Sequence, residues 1–188
     1  IPGTKSTIGD LKFLREQKWD LDLAGHINRG GYVLGICGGY QILGNTISDP
    51  EGIEGPAGTT EGLGYLDVQT TMTANKKVTP TAAVHLASGT QINGYEIHIG
   101  DTIGNDCYRP FAKSNGTPDG AVTVTGQIMG TYLHGLFSNN RFRQYFLKDI
   151  GAEPSDLDYD QEVENILDEL ADHIEKNVDI DTFISTAR

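Results

Sequence analysis

Apolar positions recur at helical spacing near both ends of the chain and at alternating or continuous spacing in its middle, and each stretch predicts its own element. Ile1-Pro2-Gly3-Thr4-Lys5-Ser6-Thr7 reads as the end of a strand running into a loop. Leu11 and Leu14 share one face of a helix over 10–17, with Thr7 as its cap. Leu21, Ala24 and Ile27 share a face of a second helix over 20–28, which Gly30-Gly31 closes. Val33 to Ile36 is a short continuous apolar run, the pattern of a buried strand. Residues 48–64 are rich in Gly, Pro, Glu and Thr and predict a surface loop. Leu66, Val68 and Thr70 alternate along a strand over 66–72, and 78–86 and 90–99 predict two more strands around Ser88-Gly89. The run Asn115-Gly116-Thr117-Pro118-Asp119-Gly120 predicts a turn, and 122–125 and 128–133 pair as a hairpin about Gly126. The chain ends in helices over 138–150, 159–176 and 181–187; Ser138, Asn139 and Asn140 are cap candidates for the first of these. The second carries Val163, Ile166, Leu167, Leu170, Ala171 and Ile174 at helical spacing. No repeat or linker interrupts the pattern, so one domain over 1–188 is expected. Helices at both ends and strands between them predict an α/β fold with an antiparallel insertion.

The Val33–Ile36 strand delivers Cys37 to a turn made tight by Gly38 and Gly39, and a helix starts through Tyr40, Gln41, Ile42 and Leu43. This is the strand–turn–helix of a nucleophile elbow, with a thiol in place of the hydroxyl. Such a turn holds the side chain out and aims a helix N-terminus at the sulfur, which favours the thiolate. It also leaves the Gly38 amide to bind a developing oxyanion. The spacing Gly35, Cys37, Gly39, Gln41 resembles the G-x-C-x-G-x-Q nucleophile motif of class I glutamine amidotransferases. Breaking a carboxamide with a thiolate needs a base to shuttle its proton. His134, at the end of the apolar run Gly130–Leu133 and before Gly135, is the best placed by sequence. Gly3-Thr4, after Pro2 at a strand end, is suited to supply a second oxyanion amide.

Composition narrows the classes. A length of 188 residues is enough for one domain with a core. A formal net charge of −12 argues against nucleic acid or an anionic membrane as partner, because either needs a basic surface. Two cysteines, Cys37 and Cys107, without a C-x-x-C pair, disfavour a disulfide framework and fit a free thiol in a reduced, cytoplasmic setting. No run approaches a transmembrane span and no signal peptide is seen. His26 reads as a surface or cap residue, His85 as structural and His173 as solvated. His98 differs, since Glu96 two residues before it shares its strand face. That pair could bind substrate, orient a partner or form a polar patch. No histidine shows short ligand spacing, so no metal site is expected.

The resemblance extends beyond the elbow. Pro2-Gly3-Thr4-Lys5-Ser6-Thr7 with Asp10-Leu11 is similar to the P-G-[ST]-K-x-[ST]-x-x-D-L segment of the cobyric acid synthase family. Asp49–Gly55, Gly62–Val68, Gly94–Thr102 and Gly130–Phe137 continue the likeness in order, to about residue 150. The resemblance implies a flavodoxin-like three-layer sandwich of the class I amidotransferase type. It implies Cys37 as nucleophile, His134 as base, Gly38 and the Gly3–Thr4 loop as oxyanion donors, and Gln41 as a contact for substrate glutamine. It also implies that the ammonia serves ATP-dependent amidation of adenosylcobyrinic acid a,c-diamide, a corrinoid, in a separate N-terminal synthetase domain. ATP and magnesium belong to that domain, and no cofactor is expected in this piece. No G-x-x-x-x-G-K-[ST] occurs here, and the chain opens at a strand that should follow earlier βα units, so an N-terminally truncated domain is expected. Most class I amidotransferases carry a Glu two residues after the catalytic His; here that residue is Leu136. Glu96 is the expected substitute for orienting His134, with His98 beside it as a substrate contact. The glutaminase partner of the lipid II amidating ligase shares the elbow and the distant His. A non-catalytic docking module would be marked by loss of Cys37 or His134, and a Cys esterase would give Gln41 no role.

Overall fold

The computed structural model describes residues 1–155 and 157–186, leaving aside the side chains at 75–77. The described residues form two compact units, Ile1–Leu136 and Phe137–Arg188. In the first unit, helices α1 (Thr7–Glu16) and α2 (Trp19–Asn28) precede strand β1 (Val33–Ile36) and the short helix α3 (Gly38–Leu43). Strands β2 (Thr46–Asp49), β3 (Gly58–Glu61), β4 (Val68–His85) and β5 (Gln91–Gly104) follow. The rest of the unit is β6 (Ala112–Ser114), β7 (Thr117–Asp119), β8 (Ala121–Val122), β9 (Ile128–Thr131) and β10 (Leu133–His134).

Two sheets result. One has the order β1-β9-β8, with β1 parallel to β9. The Ile1 backbone lies along β1, donating to Leu34 O at 2.8 Å and accepting from Ile36 N at 2.9 Å. The other has the order β10-β5-β4-β2-β3, with β6 added to β4 and β7 to β6. The core of the first sheet packs Val33, Tyr40, Leu43, Leu66, Val68 and Ile128 together.

Several elements follow local chemistry. Gly30, with φ +85°, ends α2: its amide bonds Ile27 O, and the Gly31 amide bonds His26 O. That pair of bonds is the Schellman arrangement. Asn115 and Gly116, with φ 48° and 85°, make the two-residue turn between β6 and β7. The hairpin about Gly126 forms as its spacing predicts, pairing Val122 with Met129.

Others differ from the sequence pattern. Thr7 is the first residue inside α1 and is buried, so it does not cap that helix. On α2 it is Leu23 and Ile27, four apart, that pack on the core, while Leu21 is 63% exposed. The expected loop over 48–64 contains β3, whose Thr59 and Thr60 pair with Ser48 and Ile47. The strands expected over 66–72 and 78–86 are one strand, β4; a shift of register between Thr71 and Lys76, opposite Gly100, absorbs the polar break. The expected strand over 128–133 divides after Thr131, and Leu133–His134 joins the other sheet.

The loop between β2 and β3 is held by one carboxylate. Asp49, fully buried, accepts from Ile53 N at 2.8 Å and Glu54 N at 2.9 Å. These backbone donors hold its carboxyl below the usual carboxylate range. The charged form is the bonded one, so its contribution is complete above the unfolded pKa and is lost as pH falls through the lower folded pKa. Hydrogen exchange at Ile53 and Glu54 should therefore stay protected at pH 6 and lose protection selectively on acidification, ahead of the β4–β5 amides.

In the second unit, α4 (Asn140–Asp149) is capped by Asn139, whose side chain accepts from Phe142 N. Phe137, Phe142 and Phe146 cluster with ring centroids 5.3 to 5.8 Å apart. Helix α5 (Tyr159–Asn177) is capped by Asp158, and α6 (Ile180–Thr186) closes the described chain. Residue 187 of the last expected helix lies outside the described residues.

Candidate active site

The elbow forms where the sequence places it. Cys37 sits between β1 and α3 with φ 55° and ψ −114°, a region that costs a non-glycine residue about 1–3 kcal/mol. Its surroundings impose this conformation. The Cys37 amide donates to Thr131 O at 2.8 Å, and its carbonyl accepts from Tyr40 N and Gln41 N. All residues of α3 are buried; a helix this short depends on packing rather than on its own hydrogen bonds. A Cβ on Gly35 would lie 2.6 Å from Gly39 O, so glycine in the strand lets β1 and α3 close on each other.

His134 reaches the elbow from the other sheet. It pairs with Tyr95 across β10 and β5, and the two rings stack at 5.3 Å with planes 9° apart. Gly3 lies between the thiol and the imidazole. A Cβ there would stand 3.2 Å from Cys37 Cβ and 3.2 Å from His134 Cε1. Among the described residues, His134 Nε2 is buried without a hydrogen-bond partner. Leaving a buried nitrogen unsatisfied costs about 1–3 kcal/mol. The Cys37 thiol donates to Ile97 O at 3.2 Å. Cys37 and His134 line one cavity of about 630 Å³.

Gly3 and Thr4 line this cavity, and Gly38 packs closely against Thr4. The Thr4 amide lies 3.3 Å from where a Cβ on Gly38 would be, and the first amides of a helix have no intrahelical acceptor. The Thr4 hydroxyl donates to Asp10 and accepts from Ser6 N, which fixes the loop carrying that amide.

Gln41 is also at the cavity, but its amide is already committed. Nε2 donates to Ile99 O at 3.0 Å and to Tyr132 Oη at 3.1 Å, while Oε1 lies 3.2 Å from Thr7 Oγ1. The geometry makes Gln41 a brace between α3, α1 and β5. Burial pushes the Tyr132 phenol up to about 12 and keeps it neutral.

Glu96 and His98 do share a face, 3.4 Å apart, and Ser114 Oγ donates to Glu96 at 3.1 Å. Glu96 is paired opposite Leu133, while His134 is opposite its neighbour Tyr95. Successive strand residues point to opposite faces, so among the described residues the expected Glu96–His134 contact is not formed. His98 lines the Cys37 cavity and stacks on Tyr132 at 4.1 Å. His85 is buried beside Ser88 and His26 is exposed near Tyr32 O, as their contexts predict.

Sequence reasoning missed Thr7, Glu54, Tyr95 and Tyr132 at the site. Thr7 and Glu54 stood within matched segments, yet only contacts across 47 residues of chain separation give them a place. Among the described residues no group of three or more His, Cys, Asp and Glu is arranged to hold a metal ion. No helix among them is long and apolar enough to cross a membrane.

A family model described as a CobB/CobQ-like glutamine amidotransferase domain matches residues 1–142. Cobyric acid synthase from Cereibacter sphaeroides is 56% identical over all 188 residues, and that match covers 39% of the relative. Cobyric acid synthase from Bradyrhizobium diazoefficiens is likewise 56% identical with the same coverages, and one from Rhodobacter capsulatus is 55% identical. The chain thus spans about two-fifths of the length of these relatives. A crystal structure of a glutamine amidotransferase superposes with a TM-score of 0.55 at 18% identity, covering 80% of this chain and 77% of the other, which shows a shared fold.

Proposed function

The chain belongs to the CobB/CobQ-like glutamine amidotransferase family, and from that premise we propose that it is the glutaminase part of a cobyric acid synthase. It hydrolyses glutamine through a Cys37 thioester. The observation that supports this most is the meeting of a strained thiol and a buried, unpartnered imidazole nitrogen around Gly3.

In this mechanism the thiol leaves Ile97 O and gives its proton to His134 Nε2. The thiolate attacks the carboxamide carbon of glutamine, and the oxygen's charge is taken by the Gly38 and Thr4 amides. Imidazolium returns the proton to the departing nitrogen, and ammonia leaves as the carbon–nitrogen bond breaks. Water then opens the thioester, with His134 taking its proton, and glutamate and the thiol are released. Tyr95 and the β10–β5 pairing hold the imidazole plane in place of a carboxylate.

The ammonia would serve amidation of adenosylcobyrinic acid a,c-diamide, with ATP and magnesium acting in a synthetase domain outside this chain. A cytoplasmic setting fits the free thiol. The test is intact-mass measurement on the intact protein after a glutamine-mimicking diazoketone. One adduct at Cys37 is expected, and no adduct would turn the reading to a docking module.

Gly3→Ala tests the geometry. The added methyl would press on Cys37 Cβ and His134 Cε1 together. Misplacing catalytic groups by a fraction of an ångström should lower the rate of ammonia release about tenfold or more. The melting temperature should stay within a few degrees of the parent, because Gly3 is exposed.

A further inference from the structure

Glu54 lines the Cys37 cavity and has no catalytic task in the scheme above. Its carboxylate comes from the β2–β3 loop, which Asp49 fixes by binding the Glu54 amide. Oε2 accepts from Ile8 N at 3.1 Å, and Oε1 lies 3.1 Å from Thr7 Oγ1. That hydroxyl also faces Gln41 Oε1 at 3.2 Å, so its single proton is shared between two acceptors. Among the described residues Glu54 has no cationic partner. Each carboxylate oxygen can accept more than one bond, so a half-buried anion is left with accepting capacity at the cavity wall.

We propose that Glu54 receives the α-ammonium group of the amino-acid substrate; this rests on the glutamine reading of the site. Three observations converge on it. Gln41, the expected substrate contact, is consumed by Ile99, Tyr132 and Thr7. Thr7 Oγ1 is 3.2 Å from where a Cβ on Gly38 would lie, so the Glu54 carboxylate stands one hydroxyl away from the oxyanion amides. In glutamine, two methylenes and the α-carbon link the carboxamide to the α-nitrogen, a span that suits this separation. Lys5 lines the same cavity, so its wall carries one charge of each sign, as an α-amino acid head group does. A charge-assisted hydrogen bond to a carboxylate is among the stronger polar contacts. It would select α-amino acids over simple amides.

The experiment compares glutamine with glutaramate, the same molecule without the α-amino group, on the intact protein and its Glu54→Gln variant. Ammonia release and diazoketone labelling of Cys37 are both followed. The parent should prefer glutamine, and Glu54→Gln should raise KM for glutamine about tenfold to a hundredfold with kcat within a few-fold. Its kcat/KM for glutaramate should be unchanged, so the discrimination collapses. The amide oxygen of Gln can still accept from Ile8 N, so a melting temperature near the parent's is expected. A variant that keeps the parent's discrimination would overturn the proposal and leave Glu54 as an anchor for α1. A parent that hydrolyses glutaramate as well as glutamine would overturn it without any variant. A parent neither labelled by the diazoketone nor active on glutamine would overturn the glutaminase reading itself.

Discussion

Cys37→Ala should abolish ammonia release from glutamine, a loss of about 10⁴-fold or more, and remove the diazoketone adduct from the intact mass. The size follows from the role: without sulfur there is no thioester, and the amides that would stabilise its formation have no nucleophile to assist. Deleting one member of a nucleophile–base pair costs about as much as deleting the whole. The substitution should not weaken the fold. Cys37 is partly buried and its thiol donates to Ile97 O. Replacing it by the smaller alanine leaves the Cys37–Thr131 and Cys37–Tyr40 backbone bonds unchanged. The melting temperature is the check. Retained ammonia release in the variant would show that the chemistry runs elsewhere and would sink the thioester mechanism.

His134→Ala carries the second largest effect, a fall in kcat of about a thousandfold or more with a smaller change in KM. In the proposed mechanism His134 supplies the proton route in both halves of the reaction, and its Nε2 has no structural bond to lose among the described residues. Removing an imidazole whose nitrogen is unsatisfied should cost little stability beyond the Tyr95 stacking. A fold change within a factor of ten would exclude His134 as the base. His98, which lines the same cavity beside Glu96, would then be the group to test. Simple alkylating agents should still reach Cys37 in His134→Ala, more slowly, which separates loss of the base from loss of the thiol.

By itself the sequence determined the strand, turn and helix of the elbow. An apolar run, a cysteine and glycines on either side of it allow little but a strand, a strained turn and a helix start, because Gly35 and Gly39 must let backbones touch. It also determined that Glu96 and His98 share a face, since alternation along a strand is local. The Asn115-Gly116 turn and the Asn139 cap were legible for the same reason. What only the tertiary structure decided is which distant groups meet. Alternation assigns faces but not partners or register, and β10 pairs with β5 so that His134 faces Tyr95 and Glu96 is turned toward His98 and Ser114. The fate of Gln41 was equally invisible, because its partners are a tyrosine 91 residues away and a carbonyl 58 residues away. Glu54 reached the cavity through the same kind of long-range contact, from a loop whose composition marked only turns. Local periodicity thus specified the turn that carries Cys37, and the register between strands far apart in the chain specified what surrounds it.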